Sequence, residues 1–122
     1  EGFESPDGKL FYYSKGRGVY GIYAVPVEGG EEKLVPELQE AGYWRSWTLV
    51  NEGIGYVAKK SEAEWAIRFF SFATRRTNTL FTVTEAPLWW MPGLAMSADG
   101  RRLLYGHLEH PYDEIMLMEN FQ

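Results

Sequence analysis

A repeated phrase constrains the fold of this chain more than any other feature. Ser97-Ala98-Asp99-Gly100-Arg101 leads into an apolar and aromatic run, as Ser5-Pro6-Asp7-Gly8-Lys9 does near the start. This pattern is typical of a tight turn that leads into a β-strand. It consists of a serine, a spacer, Asp-Gly, a basic residue and the apolar run. Asp99 follows Asp7 by 92 residues, which is twice 46. The spacing therefore predicts repeats of about 46 residues, with one further repeat between these two.

The middle repeat keeps the pattern with different residues. Asn51-Glu52-Gly53 stands where the first repeat has its Asp-Gly turn. Hydrophobic residues make up 45% of the chain and aromatic residues 16%, in short runs broken by Gly and Pro, which favours strands over helices. We divide the chain into repeats over 1–41, 42–86 and 87–122.

Each repeat is predicted to form one antiparallel sheet of short strands. We expect strands over 2–4, 10–14, 21–27, 33–38, 44–50, 54–58, 65–72, 79–83, 93–96, 102–106 and 114–119. The fourth strand of the last repeat would lie beyond Gln122, so we expect that sheet to lack its outer strand. Four-stranded sheets at this period are typical of β-propeller blades, whereas a β-sandwich would not repeat in sequence. An α/β repeat needs a helix, and its one candidate, 31–41, contains Pro36.

Charge and composition exclude several classes of partner. Seventeen acidic residues against twelve basic residues give a net charge of -5, which argues against direct binding of nucleic acid. The chain has no cysteine, so it has neither disulfides nor thiolate metal sites. We expect no membrane insertion, because no apolar run approaches about 20 residues. Since the chain opens on Glu1, just before its first turn, we expect a fragment or a processed piece of a longer protein.

Several of these residues resemble a known family of repeats. Ser5-Pro6-Asp7-Gly8-Lys9, with Tyr12-Tyr13 and Ile22-Tyr23-Ala24-Val25, is similar to the TolB-like or WD40-like (PD40) propeller repeat. Residues 93–105 and 115–121 resemble the C-terminal end of propellers in multidomain bacterial regulators, known especially from acidobacteria. There the propeller follows a winged-helix or a serine/threonine kinase domain. The resemblance assigns no catalytic residue, and Ala98 replaces the proline of the motif.

Strand direction sorts the loops between two rims. In an antiparallel sheet the turns after strands one and three lie on one side, here named the lower rim, and the others on the upper rim. The lower rim is expected to hold Asp7, Asn51, Asp99, Gly29-Gly30 and Arg75-Arg76. The upper rim takes the longer loops 15–20, 39–43, 60–64, 86–92 and 107–112, and binding residues favour long loops on a rigid scaffold.

An aromatic and arginine-rich surface is predicted on the upper rim. Such a composition is enriched at protein interfaces. The alternative, which we favour, is that the tryptophans pack between sheets as core, because buried aromatics dominate packing energetics. Of these residues, we expect exposure first for Tyr43 and Trp90, each of which directly precedes a first strand. The candidate binding residues are Arg17, Tyr43, Trp44, Arg45, Trp89 and Trp90.

The sequence contains no pattern that predicts catalysis, a metal or a cofactor. His107 and His110, with Asp113 and Glu114, offer imidazoles and carboxylates, but their spacing on a strand or loop does not bring them to one face, and solvated loop residues are favoured. Asp7 and Asp99 lie in equivalent turns, where Asp side chains cap local amides. The chain has no phosphate-binding loop and no nucleophile elbow.

We therefore predict a non-enzymatic module that binds a protein or a small ligand, as a C-terminal part of a larger bacterial regulatory or sensor protein. The alternative is the propeller part of a prolyl-oligopeptidase-like hydrolase whose catalytic domain lies elsewhere. A third possibility is that the blades only close a ring. We also expect the isolated chain to form an edge-to-edge dimer. The compartment, periplasm or cytoplasm, depends on the parent protein.

Overall fold

The strands of the chain follow one another in three groups. The computed structural model describes residues 2–16, 19–42, 46–61, 64–84, 94–97, 102–108 and 113–119. Within these ranges the strands are β1 Gly2–Glu4, β2 Leu10–Gly16, β3 Val19–Pro26, β4 Lys33–Leu34, β5 Trp47–Val50, β6 Gly53–Lys59, β7 Trp65–Ser71, β8 Thr77–Val83, β9 Leu94–Met96, β10 Arg102–Leu108 and β11 Asp113–Glu119.

Three antiparallel sheets result, and each strand pairs with its neighbours in sequence. The first sheet has the order β1-β2-β3-β4, the second β5-β6-β7-β8, and the third β9-β10-β11. The described ranges contain no α-helix, only one 3-10 helix, and in them no helix is long and apolar enough to cross a bilayer. The predicted all-β class is confirmed, with sheets of short strands in the expected order.

The fourth predicted strand is much shorter than expected. The sequence predicted a strand over 33–38, but β4 ends at Leu34 and a 3-10 helix occupies Pro36–Leu38. Proline lacks an N–H and fixes φ, so it cannot continue a strand ladder but is tolerated in the first turn of a helix. The Leu38 N–H closes this turn on the Val35 carbonyl at 3.0 Å, and the Leu38 side chain is fully buried.

The two serines of the repeated phrase make the same hydrogen bonds. The Ser5 N–H donates to the Leu10 carbonyl at 2.8 Å, and the Leu10 N–H donates to the Ser5 hydroxyl at 3.0 Å. Ser97 and Arg102 repeat both bonds at 2.8 and 3.0 Å. The repeated phrase is therefore a structural device that closes the turn before the second strand, as predicted. Asp99 itself lies outside the described residues.

Two hydrophobic cores lie between successive sheets. The first core joins the first and second sheets and includes Tyr12, Ile22, Trp47 and Phe70. The second core joins the second and third sheets and includes Val57, Trp65, Ile67, Leu94 and Leu103.

Strand β7 contributes to both cores, Phe70 to the first and Ile67 to the second. A strand that is covered on both faces carries apolar residues at successive positions. This explains the imperfect alternation of polar and apolar residues that the sequence shows in this strand.

Candidate functional site

The predicted binding residues of the upper rim are not among the residues that the structure describes. All six candidates lie outside the described residues: Arg17, Tyr43, Trp44, Arg45, Trp89 and Trp90. His110 also lies outside the described residues, and His107 belongs to strand β10. Among the described residues no group of His, Cys, Asp or Glu could hold a metal ion. The upper-rim binding surface therefore stays a prediction.

A cleft on the lower rim is the best-defined candidate site in the described part of the chain. It has a volume of about 300 Å³ and opens between the first and second sheets. The sequence placed Asp7, Asn51 and Arg75 together on this rim, and the structure confirms it, because all three line this one cleft. Its lining, here named the lower-rim cleft, consists of Ser5, Pro6, Asp7, Leu10, Tyr12, Asn51, Phe72 and Arg75.

Two aromatic rings, one from each sheet, are stacked in the lining of the cleft. The rings of Tyr12 and Phe72 have their centroids 5.7 Å apart, with 23° between their planes. Phe72 in turn meets Phe70 edge to face at 5.9 Å. Burial raises the pKa of Tyr12, because loss of solvent disfavours the phenolate. The stack gives the cleft an apolar surface that is held from two sheets at once.

The first sheet contributes a carboxylate with a fixed position. One oxygen of Asp7 accepts from the Ser5 hydroxyl at 2.6 Å and from the Lys9 N–H at 3.0 Å. These bonds favour the charged form and hold the pKa of Asp7 below its usual value, the Ser5 hydroxyl having the larger effect. Asp7 caps a local amide, as the sequence predicted, and its charge is fixed in the lining of the cleft.

The second sheet contributes a guanidinium to the lining of the cleft. Arg75 lies in the loop between β7 and β8 with a φ of 54°, and its N–H donates to the Ser71 carbonyl at 2.8 Å. Its Nε and Nη2 donate to the two oxygens of Glu37 at 2.8 and 3.0 Å. The guanidinium also lies 5.1 Å from the centre of the Phe70 ring. The pair lowers the pKa of Glu37 and raises that of Arg75.

This ion pair ties the lower-rim cleft to the connection between the sheets. Glu37 belongs to the 3-10 helix that follows the first sheet, whereas Arg75 belongs to the second sheet. A bidentate arginine–carboxylate pair fixes both distance and orientation. The wall of the cleft is therefore held by a contact that crosses from one sheet to the other.

The chemistry of the cleft suits binding. Ser5 donates its hydroxyl proton to Asp7 and accepts from the Leu10 N–H, so both of its described contacts serve the turn. The lining contains no His, Cys or Lys that could act as its base. An apolar surface flanked by a carboxylate, a carboxamide and a guanidinium can take an apolar group and hydrogen-bond the polar atoms beside it.

Sequence reasoning missed the aromatic part of this site. Strand parity predicts which loops share a rim, but it does not predict that Tyr12 of β2 and Phe72 after β7 would stack across two sheets. The one available signal was the position of Phe72 directly before the lower-rim loop of Arg75. Loop length favoured a binding site on the upper rim, but it does not predict a ring contact between two sheets.

A second group of polar residues joins the connection after the first sheet to the second sheet. Glu40 accepts a hydrogen bond from the Tyr56 hydroxyl at 3.1 Å and forms an ion pair with Arg68, which also donates to Thr77 at 3.1 Å. Burial raises the pKa of Tyr56 to about 12. A smaller cavity of about 190 Å³ lies beside Glu40 and Arg68. Because Arg68 already binds Glu40 and Thr77, we assign this group to the packing of the sheets.

Comparison with known proteins identifies the fold. No family model matches the chain, and no curated protein matches its sequence. Among solved structures, the chain is similar to TolB from Acinetobacter baumannii, with a TM-score of 0.68 and 21% identity over 99% of this chain. It is also similar to the tricorn protease, with a TM-score of 0.52 and 19% identity over 100% of this chain. The chain has a TolB-like β-propeller fold.

The likeness extends over a small part of each neighbour. This chain spans 29% of the TolB chain and 13% of the tricorn protease chain. At these identities the likeness shows the fold alone. Function has to be argued from the site.

Proposed function

We propose that this chain is a non-enzymatic binding module that takes a segment of a partner protein in the lower-rim cleft. The single observation that carries the proposal is a cleft of about 300 Å³ whose walls come from two sheets and are joined by the Arg75–Glu37 pair. A rigid site binds with less loss of conformational freedom than a mobile one. The described lining offers an apolar surface and polar groups, with no nucleophile and base together.

The chemistry of the cleft lining favours a peptide over a compact small molecule. The stacked Tyr12 and Phe72 rings suit an apolar side chain. Asn51, which is exposed at the same rim, has a carboxamide that can both donate to and accept from a peptide backbone. Asp7 adds a fixed negative charge. The expected ligand is therefore an extended segment with an apolar anchor, not a polyanion.

Peptide selection tests this proposal directly. A random dodecapeptide library would be selected on the immobilised chain, and the enriched peptides would be measured by fluorescence anisotropy. In Asn51→Trp a large ring is added to the lining of the cleft, and we expect affinity to fall at least about tenfold. Asn78→Trp is the matched control, since Asn78 is also exposed but lies in β8, outside the cleft. Enriched peptides that bind Asn51→Trp as well as the wild type would contradict the proposal.

The predicted upper-rim surface enters the same experiment. Joint replacement of Arg45, Trp89 and Trp90 by alanine is expected to leave binding at the lower-rim cleft unchanged. Peptides that lose affinity only in this triple variant would assign binding to the upper rim and refute the lower-rim site. One assay with both sets of variants therefore distinguishes binding at the lower-rim cleft from binding at the upper rim.

The larger setting follows the family resemblance of the sequence. We place the module in a bacterial regulatory or sensor protein, downstream of a winged-helix or kinase domain, with PD40-type repeats. The alternative is the propeller part of a hydrolase whose catalytic domain lies elsewhere, and the likeness to the tricorn protease concerns the fold alone. An α/β-hydrolase domain encoded downstream in the parent gene would favour the hydrolase. An upstream winged-helix or kinase domain would favour the regulator.

A further inference from the structure

The carboxylate of Asp7 uses one oxygen for its own turn and leaves the other to a ligand. Oδ1 accepts both the Ser5 hydroxyl and the Lys9 N–H. Oδ2 accepts no hydrogen bond from the described residues, and Asp7 is exposed. The ammonium of Lys9 attracts this carboxylate but forms no ion pair with it in the described part of the chain. Since an ionised carboxylate can accept at both oxygens, the bonds at Oδ1 hold Oδ2 in position for a donor.

Arg75, the cation in the same lining, is already neutralised. Its Nε and Nη2 bind the two oxygens of Glu37, so the pair carries no net charge. Burial is the main cause of the raised pKa of Tyr12, and Arg75, Asp7 and Glu37 act on it as well. The three charges therefore lie within electrostatic range of one phenol. Two of them are negative and one is positive, so the cleft favours a ligand with a positive charge.

The aromatic part of the cleft suits a basic side chain as well as an apolar one. The Tyr12 and Phe72 rings are stacked with their centroids 5.7 Å apart. The face of an aromatic ring attracts a cation, and lysine and arginine lay their apolar stems along such a surface while the charged head stays in water. A basic side chain of a ligand can therefore contact the rings with its stem and Asp7 with its charge.

The chain binds one of its own cations with the same two groups, a ring and a carboxylate. The ammonium of Lys15 lies 4.2 Å from the centre of the Tyr23 ring and 2.7 Å from an oxygen of Glu32. The lower-rim cleft has both groups in its lining, since the stacked rings and Asp7 share it. The arrangement at Lys15 therefore shows how a basic residue of a ligand would be held in the cleft.

We infer that the lower-rim cleft selects peptides in which a lysine or arginine accompanies the apolar anchor, and that Asp7 binds this positive charge through Oδ2. The inference rests on the proposed function and adds the charge of the ligand to it. In an extended peptide, side chains two positions apart point to the same side, about 7 Å from each other. The expected motif is therefore an apolar residue and a basic residue two positions apart. An acidic residue there would face the charges of Asp7 and Glu37.

A charge change on each side of the contact tests the inference. Each peptide selected on the wild-type chain is made again with its basic residue replaced by Gln, and both forms are measured by fluorescence anisotropy. On the wild type the Gln form should bind about fivefold more weakly, and this difference should shrink at high salt. On Asp7→Asn the two forms should differ by less than about twofold. Asparagine keeps an oxygen that can accept from Ser5 and Lys9, so the variant removes the charge and preserves the turn.

Glu28→Gln is the matched control. Glu28 is an exposed carboxylate in the turn after β3, outside the lining of the lower-rim cleft. Its removal changes the net charge by the same amount as Asp7→Asn, and the about fivefold difference between the two peptide forms should remain. A difference that disappears equally in both variants would assign the preference to the charge of the whole chain and overturn the inference. Circular dichroism of each variant confirms that it folds.

The selection separates this inference from the proposed function. Enriched peptides that lose affinity in Asn51→Trp but carry no excess of basic residues would overturn the inference and leave the binding module intact. Enriched peptides with acidic residues beside the anchor would overturn it in the same way. Peptides that bind Asn51→Trp as well as the wild type would overturn both.

Discussion

The indole N–H of Trp47 donates to the hydroxyl of Ser14 at 2.9 Å across the first core. Trp47 is fully buried and Ser14 is 8% exposed, and the two residues belong to different sheets. The Trp47 ring also meets Phe3 edge to face at 5.0 Å. A buried donor that found no acceptor would be costly, so Ser14 makes it possible to place a tryptophan in this apolar interface.

Removing the acceptor should destabilise the chain. Ser14→Ala leaves the buried Trp47 N–H without its partner, and we expect the free energy of unfolding to fall by about 1–3 kcal/mol. Urea denaturation followed by tryptophan fluorescence measures this change.

Ser46→Ala is the matched control. Ser46 is fully buried, and its hydroxyl has no hydrogen-bond partner among the described residues. Its removal relieves an unsatisfied polar group, so we expect a neutral or stabilising effect. An equal loss in both serine variants would show that the Trp47 bond has no special role.

A close approach between two backbone segments should make any side chain at Gly42 destabilising. Gly42, after the first sheet, has a φ of 86°, and a Cβ at this position would lie 2.7 Å from the Gly21 carbonyl oxygen. Gly42→Ala combines an unfavourable conformation, which costs about 1–2 kcal/mol, with a clash against backbone. We expect a larger fall in melting temperature than in Gly29→Ala. Gly29 has a φ of 101° but no atom within 4 Å of such a Cβ. Equal losses would show that conformation alone accounts for the effect.

The sequence was most informative where residues repeat. The serines at 5 and 97 predicted equivalent turns, and both close the same pair of hydrogen bonds. It was least informative where residues from different sheets meet. The stack of Tyr12 and Phe72 and the pair of Arg75 and Glu37 depend on how two sheets pack, which no local spacing encodes. Pro36 shows the intermediate case, since its effect on a strand was foreseeable but the 3-10 helix was not.

Acid should weaken the contact between the sheets at the lower-rim cleft. Arg75 lowers the pKa of Glu37 below its ordinary value of 4.5, so the unfolded state binds a proton at a higher pH than the folded state does. The stability that the pair contributes is present above pH 4.5 and is lost as pH falls through the folded pKa. Urea titrations at a series of pH values should show a shallower acid loss in Glu37→Gln than in the wild type.

Asp7 provides an independent acid response in the same experiment. Its pKa is lowered by the Ser5 hydroxyl and the Lys9 N–H, so Asp7→Asn should also reduce the acid loss of stability. The double variant shows whether the two effects add. An acid profile of Glu37→Gln that is identical to that of the wild type would contradict the assigned role of the Arg75 pair.

Alkali should act on the first core through Tyr56, which is one of its buried residues. Burial raises the pKa of Tyr56 from 10 in a free phenol to about 12, so the unfolded state loses its proton first as pH rises. The contribution of Tyr56 to stability is therefore complete below pH 10 and is lost as pH rises towards 12. In Tyr56→Phe this loss should be smaller. Glu40 keeps its ion pair with Arg68, so the variant should fold. Stability and phenolate absorbance followed over the same pH range give the measurement, and parallel alkaline losses in the variant and the wild type would contradict the prediction.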